Sequence, residues 1–549
     1  MSFGRRPPLP TPPPSSASVP RAKRRLDHAI TPATLVAAAL VAVGLLTSCT
    51  VGPSTRPPVA VRADLPPAPP APPGAPVPLP VPEAGRASLP LSDCTPSSLG
   101  SLDVPVPTDR VLRTDCGTLT VPLDPAQPAL GTVTLGVVRA GMADVPGRTP
   151  LAARPALLVV GDSATDPTAR RAVRMAAQVP TYLLANFAII GLDRRGAGTD
   201  TLDCADPSAR SALADADPAT ADTTLLLERA RAVVQACNVA LDGQLGGFSS
   251  EAAADDIEAV RQALGVARLS ALGTGDGAEA LADWARAHPR AVGRLVLDGP
   301  PDPGLDEPAR SEARAQATEA AFDAFAQRCT SRSACPLGAD PRTAVTALVT
   351  SLRAQPLSTP DGRQLSAGTA VTAIRVALGE PSSWATLTDA LQAARAGDPA
   401  PLLNGLVPTL GSRGRYDAAL ATDCNDAQNR IAPAQIQELA RQWQKTYPLF
   451  GSSVAADLVA CAPWPTGGGR ALAPVPADLP PLVVIGTAAG PRSSMDAARA
   501  VAQSLPSAVF IGWQGAATGA FPRTQCVNSL VDNLLVDGQL PDASTLCPP

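Results

Sequence analysis

Short apolar runs alternating with amphipathic helical stretches constrain this chain more than any other feature. Runs at 156–160, 187–192, 268–272 and 293–297 have the length and the Val, Ile and Leu content of strands buried on both faces. Helical patterns at 251–264 and 278–287 separate the later ones. The first of these helices is the clearest. Ser249 or Ser250 can cap it, Ile257, Val260 and Leu264 share one face, and Gly265 ends it. Upstream, 118–121 and 133–138 alternate as a strand pair. From about 308 to 421 the pattern turns helical, and strand signals return at 482–485 and 509–513. This predicts the α/β class: a mostly parallel sheet covered on both faces, interrupted by an inserted helical cap and then completed. The chain's 549 residues are 45% apolar but only 3% aromatic, so its core must be mostly Ala, Val and Leu.

The N-terminus reads as an export signal. Arg5, Arg6, Arg21, Lys23, Arg24 and Arg25 stand against the single acid Asp27, ahead of an apolar run at 33–46. That run is too short to span a bilayer and suits a signal-peptide core. It closes on Leu46-Thr47-Ser48-Cys49, which resembles a bacterial lipobox. On that reading residues 1–48 are removed, Cys49 carries lipid, and the protein is anchored on the outer face of the membrane; in an ordinary secretory signal Cys49 would be incidental. Residues 49–93 are rich in Pro, Ala and Val and read as a stalk. Its 44 residues after Cys49 would reach roughly 130 Å as polyproline II. The signal carries a net +5 and the whole chain −4, leaving −9 for the remainder. This acidic balance argues against nucleic acid as a partner.

Setting Cys49 aside leaves ten cysteines, an even number in an exported chain, which favours disulfides. Counting does not give their connectivity. Zinc is the competing use, but there is no Cys-x-x-Cys and only two histidines. No metal cluster, phosphate loop or dinucleotide fingerprint stands out, so no cofactor is expected.

Several blocks together carry a family resemblance. They are Cys116-Gly117-Thr118-Leu119-Thr120-Val121-Pro122-Leu123-Asp124, Asp193-Arg194-Arg195-Gly196-Ala197-Gly198, Asp256-Ile257-Glu258-Ala259-Val260-Arg261, Arg294-Leu295-Val296-Leu297-Asp298-Gly299 and Val536-Asp537-Gly538-Gln539-Leu540-Pro541. From Cys94 to Cys547 the chain resembles the actinobacterial secreted α/β-hydrolases of the tripeptidyl-aminopeptidase type. The resemblance implies an α/β-hydrolase fold: a core over 94–308, a helical cap over 309–421, and core completion over 422–549. It also implies nearest-neighbour disulfides: Cys94/Cys116, Cys204/Cys237, Cys329/Cys335, Cys424/Cys461 and Cys526/Cys547.

Family members use Ser, Asp and His to release short peptides from N-termini or to cleave related amides and esters. None of the three carries over. Gly273-Thr274-Gly275-Asp276-Gly277 keeps the outer glycines of the Gly-x-Ser-x-Gly elbow but has Gly275 at its centre. After 482–485, Ala489 stands where the family has its acid, and after 509–513, Thr518 stands where it has its base. The glycine-rich oxyanion loop is replaced by Gly161-Asp162-Ser163-Ala164-Thr165-Asp166. His288, at a helix end, reads as a surface residue, Ser270 as packed, Lys445 as part of a polar helix, and Asp298 as structural. Asp162, Ser163, Thr274 and Asp276 remain as pocket candidates, with Asp162, Asp166 and Asp276 able to favour a cationic group such as a peptide N-terminus. Asp276 alternatively caps its helix. The expected function is a cell-surface lipoprotein binding a peptide or hydrophobic ligand without hydrolysis. The alternatives are an active peptidase or esterase with a relocated nucleophile, and an envelope scaffold.

Overall fold

A computed structural model describes residues 79–549 apart from 84–85, 166, 218, 220–222, 333 and 466–472. The export signal, Cys49, most of the Pro-rich stretch and Asp166 lie outside the described residues. Among those described, no helix is long and apolar enough to cross a membrane.

One ten-stranded sheet organises the chain. Its strands are β1 (Ser92–Asp93), β2 (Leu112–Pro122), β3 (Thr132–Met142), β4 (Ala156–Val160), β5 (Ala188–Leu192), β6 (Leu269–Thr274), β7 (Val292–Asp298), β8 (Leu482–Thr487), β9 (Ala508–Trp513) and β10 (Thr545–Cys547). The spatial order is β1-β2-β3-β5-β4-β6-β7-β8-β9-β10. Pairings from β1 to β5 are antiparallel, and all from β5 to β10 are parallel. Successive side chains of the central strands enter opposite cores. Leu158, Val160, Leu295, Leu297 and Val484 join one, while Leu157, Val159, Val296, Val483 and Ile485 join the other. This burial on both faces is why these strands are almost continuously apolar.

Register sets where the loops emerge. Val160 pairs with Gly273, Gly273 with Leu297, Leu297 with Val484, and Val484 with Phe510. The C-terminal ends of β4, β6, β7, β8 and β9 are therefore level, and their loops share one edge, where α/β folds place ligands.

The helical insertion has its own core. Phe322, Phe325, Trp384 and Leu410 pack within it, joined by Phe450. Ring centroids of Phe322 lie 5.5 Å from Phe325 and 6.0 Å from Phe450, and Phe325 meets Trp384 edge-on at 5.9 Å. The scarce aromatics thus concentrate where helices of small residues need bulk. The long first helix of the insertion, Glu307–Thr330, starts at Asp306, whose carboxylate accepts from the Ala309 N–H. One short antiparallel pair, Leu357–Ser358 with Gln364–Leu365, interrupts the helices of a segment expected to hold none. Two residues a side leave no period to read. From Ala418 onward, helix side chains such as Cys424, Ile436 and Trp443 pack with the sheet instead.

All five cysteine couples implied by the resemblance are disulfides. Cys204 and Cys237 lie near Asp417, but both sulfurs are consumed by their bridge. Asp417 instead receives the Cys204 and Ala205 N–H groups and pairs with the buried Arg210 at 2.9 Å.

Candidate functional site

The chain turns from β6 into the helix Asp276–Ala287 over a single residue. Gly275 has φ +60° and ψ −128°, a conformation open to glycine and strained for any other residue. Its N–H donates to the Asp298 carbonyl at 3.0 Å. A side chain at Gly277 would come within 2.5 Å of the Gly161 carbonyl, so the helix start lies directly on the loop after β4. The turn thus has the shape of a nucleophile elbow. The space before it is filled. A Cβ on Gly275 would lie 2.1 Å from Asp162 Oδ2.

Asp162 turns back onto the backbone of this turn. Its carboxylate accepts from the Ala164 N–H at 2.9 Å and from the Asp276 N–H at 3.3 Å. The Asp276 carboxylate accepts from the Ser163 N–H at 2.9 Å and from the Ser163 hydroxyl. In an elbow enzyme the oxyanion is held by the N–H after the nucleophile and by an N–H from the neighbouring strand–helix loop. Here the corresponding donors already face two internal carboxylates.

Two buried carboxylates side by side need a cation. Arg492, from the loop after β8, donates to Asp162 at 3.2 Å and lies 3.7 Å from Asp276 and 3.5 Å from Asp423. Burial works against its charge, but Asp162, Asp423 and Asp276 hold its guanidinium above the ordinary value. Arg194 approaches Asp276 at 3.6 Å from the other side. Burial, and next the Asp162 charge, still push Asp276 up to about 7.

The remaining candidates are placed as follows. Ala489 is buried, and its N–H donates to the Gly515 carbonyl at 3.1 Å. The Thr518 N–H donates to the Gly379 carbonyl at 2.8 Å, joining the loop after β9 to the cap. Thr274 is buried and receives a bond from Arg171 at 3.2 Å. Asp298 accepts from the Ala520 and Phe521 N–H groups at 2.8 and 2.9 Å, which pins the loop after β9 against the elbow. Ser270 is buried and accepts from the Arg294 N–H. His288 closes its helix, with its N–H on the Trp284 carbonyl. The Asp193–Gly198 block is structural, since Arg195 is buried and forked onto Asp256 at 2.8 and 2.7 Å.

A cavity of about 900 Å³ lies between cap and sheet. Its wall carries nine arginines and five carboxylates, and no histidine among the described residues. Thr518, Ala164 and Thr165 reach the wall, whereas Asp162, Ser163, Thr274 and Asp276 do not. The expectation that acidic side chains there would favour a cationic group is therefore corrected. Asp162 and Asp276 point into the turn and are neutralised by arginine, and the wall's balance has the opposite sign. Sequence reasoning also missed Arg492 and Arg171. For Arg492 the available signal was its position, just beyond Ala489-Gly490-Pro491 in a loop at the active edge.

Sheet, elbow and cap together define an α/β-hydrolase fold. A family model described as TAP-like protein matches residues 447–547. Carboxylesterase B of Mycobacterium tuberculosis is 31% identical over 474 residues, covering 80% of this chain and 88% of that protein. Serine protease Hip1 of the same organism is 31% identical over 317 residues, covering 54% and 60%. Tripeptidyl aminopeptidase of Streptomyces lividans is 24% identical over 496 residues, covering 85% and 88%. The chain belongs to the actinobacterial TAP-like α/β-hydrolases.

Proposed function

We propose that this protein is a non-hydrolytic member of its family, anchored at the cell surface through Cys49, that holds a peptide or hydrophobic ligand in the cavity between cap and sheet. One observation carries the reading: the Asp162 carboxylate occupies the hydrogen-bond donors and the space that an elbow enzyme gives to its nucleophile and oxyanion. An oxyanion arriving there would meet a resident negative charge. Gly275 offers no nucleophile, and among the described residues no imidazole reaches the cavity wall to serve as a base. The cavity itself lies within the usual size range of ligand sites.

A second reading has one observation in its favour. The Ser163 hydroxyl donates to Asp276, a carboxylate whose raised proton affinity suits a base. Ser163 is, however, buried behind the wall. Relatives named as an esterase and a protease make this the alternative to exclude. Fluorophosphonate treatment of the purified protein, with mass spectrometry of the adducts, separates the two. The proposal expects no labelled residue beside a labelled active relative. Stoichiometric labelling of Ser163, or of any Ser or Thr on the wall, would overturn it.

A further inference from the structure

Arg171 is a partly buried and thinly bonded cation on the cavity wall. It projects from the helix Thr168–Gln178 that follows β4. Among the described residues its guanidinium makes one side-chain hydrogen bond, to the neutral Thr274 hydroxyl at 3.2 Å, and no carboxylate oxygen lies within 4.0 Å of it. Most of its five donors are thus left unused. Each carboxylate near it is committed elsewhere. Asp298 takes the Ala520 and Phe521 N–H groups, Asp162 is held by Arg492, and Glu380 forks onto Arg523 at 3.0 and 2.9 Å. Burial and then the Arg523 charge both disfavour the protonated Arg171. A partly buried guanidinium facing a second one without a counter-ion is costly unless an anion arrives from outside.

The local charge fixes the kind of anion. Arg523 is paired with Glu380, and the Asp298 carboxylate acts on Arg171 only from a distance, so Arg171 has no counter-ion in contact; its planar fork suits a singly charged carboxylate. Elsewhere the cavity wall carries the apolar side chains Met175, Leu213, Leu226, Leu420, Leu458 and Phe521. Accepting the cavity as a ligand pocket, we infer that Arg171 anchors the carboxylate of a ligand whose remaining body is apolar or peptidic. Such a carboxylate lies against Arg171, whose guanidinium is held by Thr274 behind the wall, close to the elbow. Two sources share this chemistry: a fatty acid and the free C-terminus of a short peptide.

Titration calorimetry decides between them and tests the anchor. The full chain, carrying Cys49→Ser to keep it free of lipid, is titrated with four probes: dodecanoate, dodecan-1-ol, N-acetyl-trialanine and its C-terminal amide. At least one acid is expected to bind tenfold or more tightly than its neutral counterpart, and the pair showing the difference identifies the source. Arg171→Gln should abolish that difference, and Arg171→Lys should retain part of it. Equal binding of acid and neutral probe in both pairs would overturn the carboxylate anchor and leave the pocket reading standing. Binding of none of the four would remove both. The comparison of probes uses the unaltered site, so it holds even where the Arg171 variants fold poorly.

Discussion

Placing a serine back at the elbow tests how deeply the site has been rebuilt. Gly275→Ser puts an L residue at φ +60° and ψ −128°. Backbone strain of this kind costs on the order of 1–3 kcal/mol. The new Cβ also meets Asp162 Oδ2 at 2.1 Å. Asp162 can retreat only by loosening its bonds to Arg492 and the Asp276 N–H, and disrupting a buried ion pair costs a further ~3 kcal/mol. The single variant should therefore lose about 4–6 kcal/mol. Asp162→Gly alone should cost less, about 1–3 kcal/mol, because Arg492 keeps Asp276 and Asp423. In the double variant the clash is gone and only strain and lost pairing remain. It should be more stable than the sum of the singles by at least ~1 kcal/mol. Chemical unfolding with linear extrapolation measures all three. Additivity within about 0.5 kcal/mol, or a Gly275→Ser protein as stable as the parent, would refute the claim that Asp162 occupies the place of the nucleophile. None of the three should gain turnover, since Ala489 and Thr518 supply neither acid nor base.

Two further predictions concern stability. Unfolded, Asp276 titrates near 3.8; folded, at about 7. Between those values the folded state holds the extra proton, so stability falls as pH rises across the window, by up to about 1.4 kcal/mol per unit. Asp276→Asn should flatten the dependence of melting temperature on pH between 4 and 7, and an unchanged slope would show that other groups set it. Among the disulfides, loop closure predicts that replacing Cys424 and Cys461 by Ser, 37 residues apart, costs about 3.8 kcal/mol. The same change at Cys329 and Cys335, 6 apart, should cost about 2.2 kcal/mol. Equal losses on thermal unfolding would count against the entropic account.

What the sequence disclosed follows from which interactions are local. Strands buried on both faces wrote themselves as apolar runs, and the expected 156–160 coincides with β4. Ser249 caps its helix through the Ala252 N–H, as its place before the apolar stripe implies. The hairpin of β2 and β3 was legible only in part, because its alternation is broken by charge. Asp115 sits buried in β2 and is neutralised by Arg139 across the pair at 2.6 Å and by Arg113 at 3.1 Å. Gly275, Ala489 and Thr518 could be assigned from the order of strands and loops, and each stands in a loop at the level edge of the sheet. The partners of Asp162 could not. Arg492 is 330 residues away, and its position beyond Ala489-Gly490-Pro491 marks the loop it stands in but not the carboxylate it meets. The charge sense of the cavity was hidden for the same reason.

The retained frame and the altered chemistry depend on one another. Asp162 without Arg492 would leave two buried carboxylates, its own and that of Asp276, sharing donors with too little cation. Arg492 without Asp162 would keep only longer contacts, at 3.5 and 3.7 Å, to Asp423 and Asp276. Neither change is comfortable alone, and Asp162 excludes a side chain at 275. A buried network of this kind is favourable when every member is satisfied and costly when one is missing. On the proposed non-hydrolytic reading, a serine at 275 would need Asp162 and Arg492 to change with it, before an acid at 489 or a base at 518 could act. The site is better understood as a closed ion-paired plug, with the arginine-lined cavity before it left free to bind.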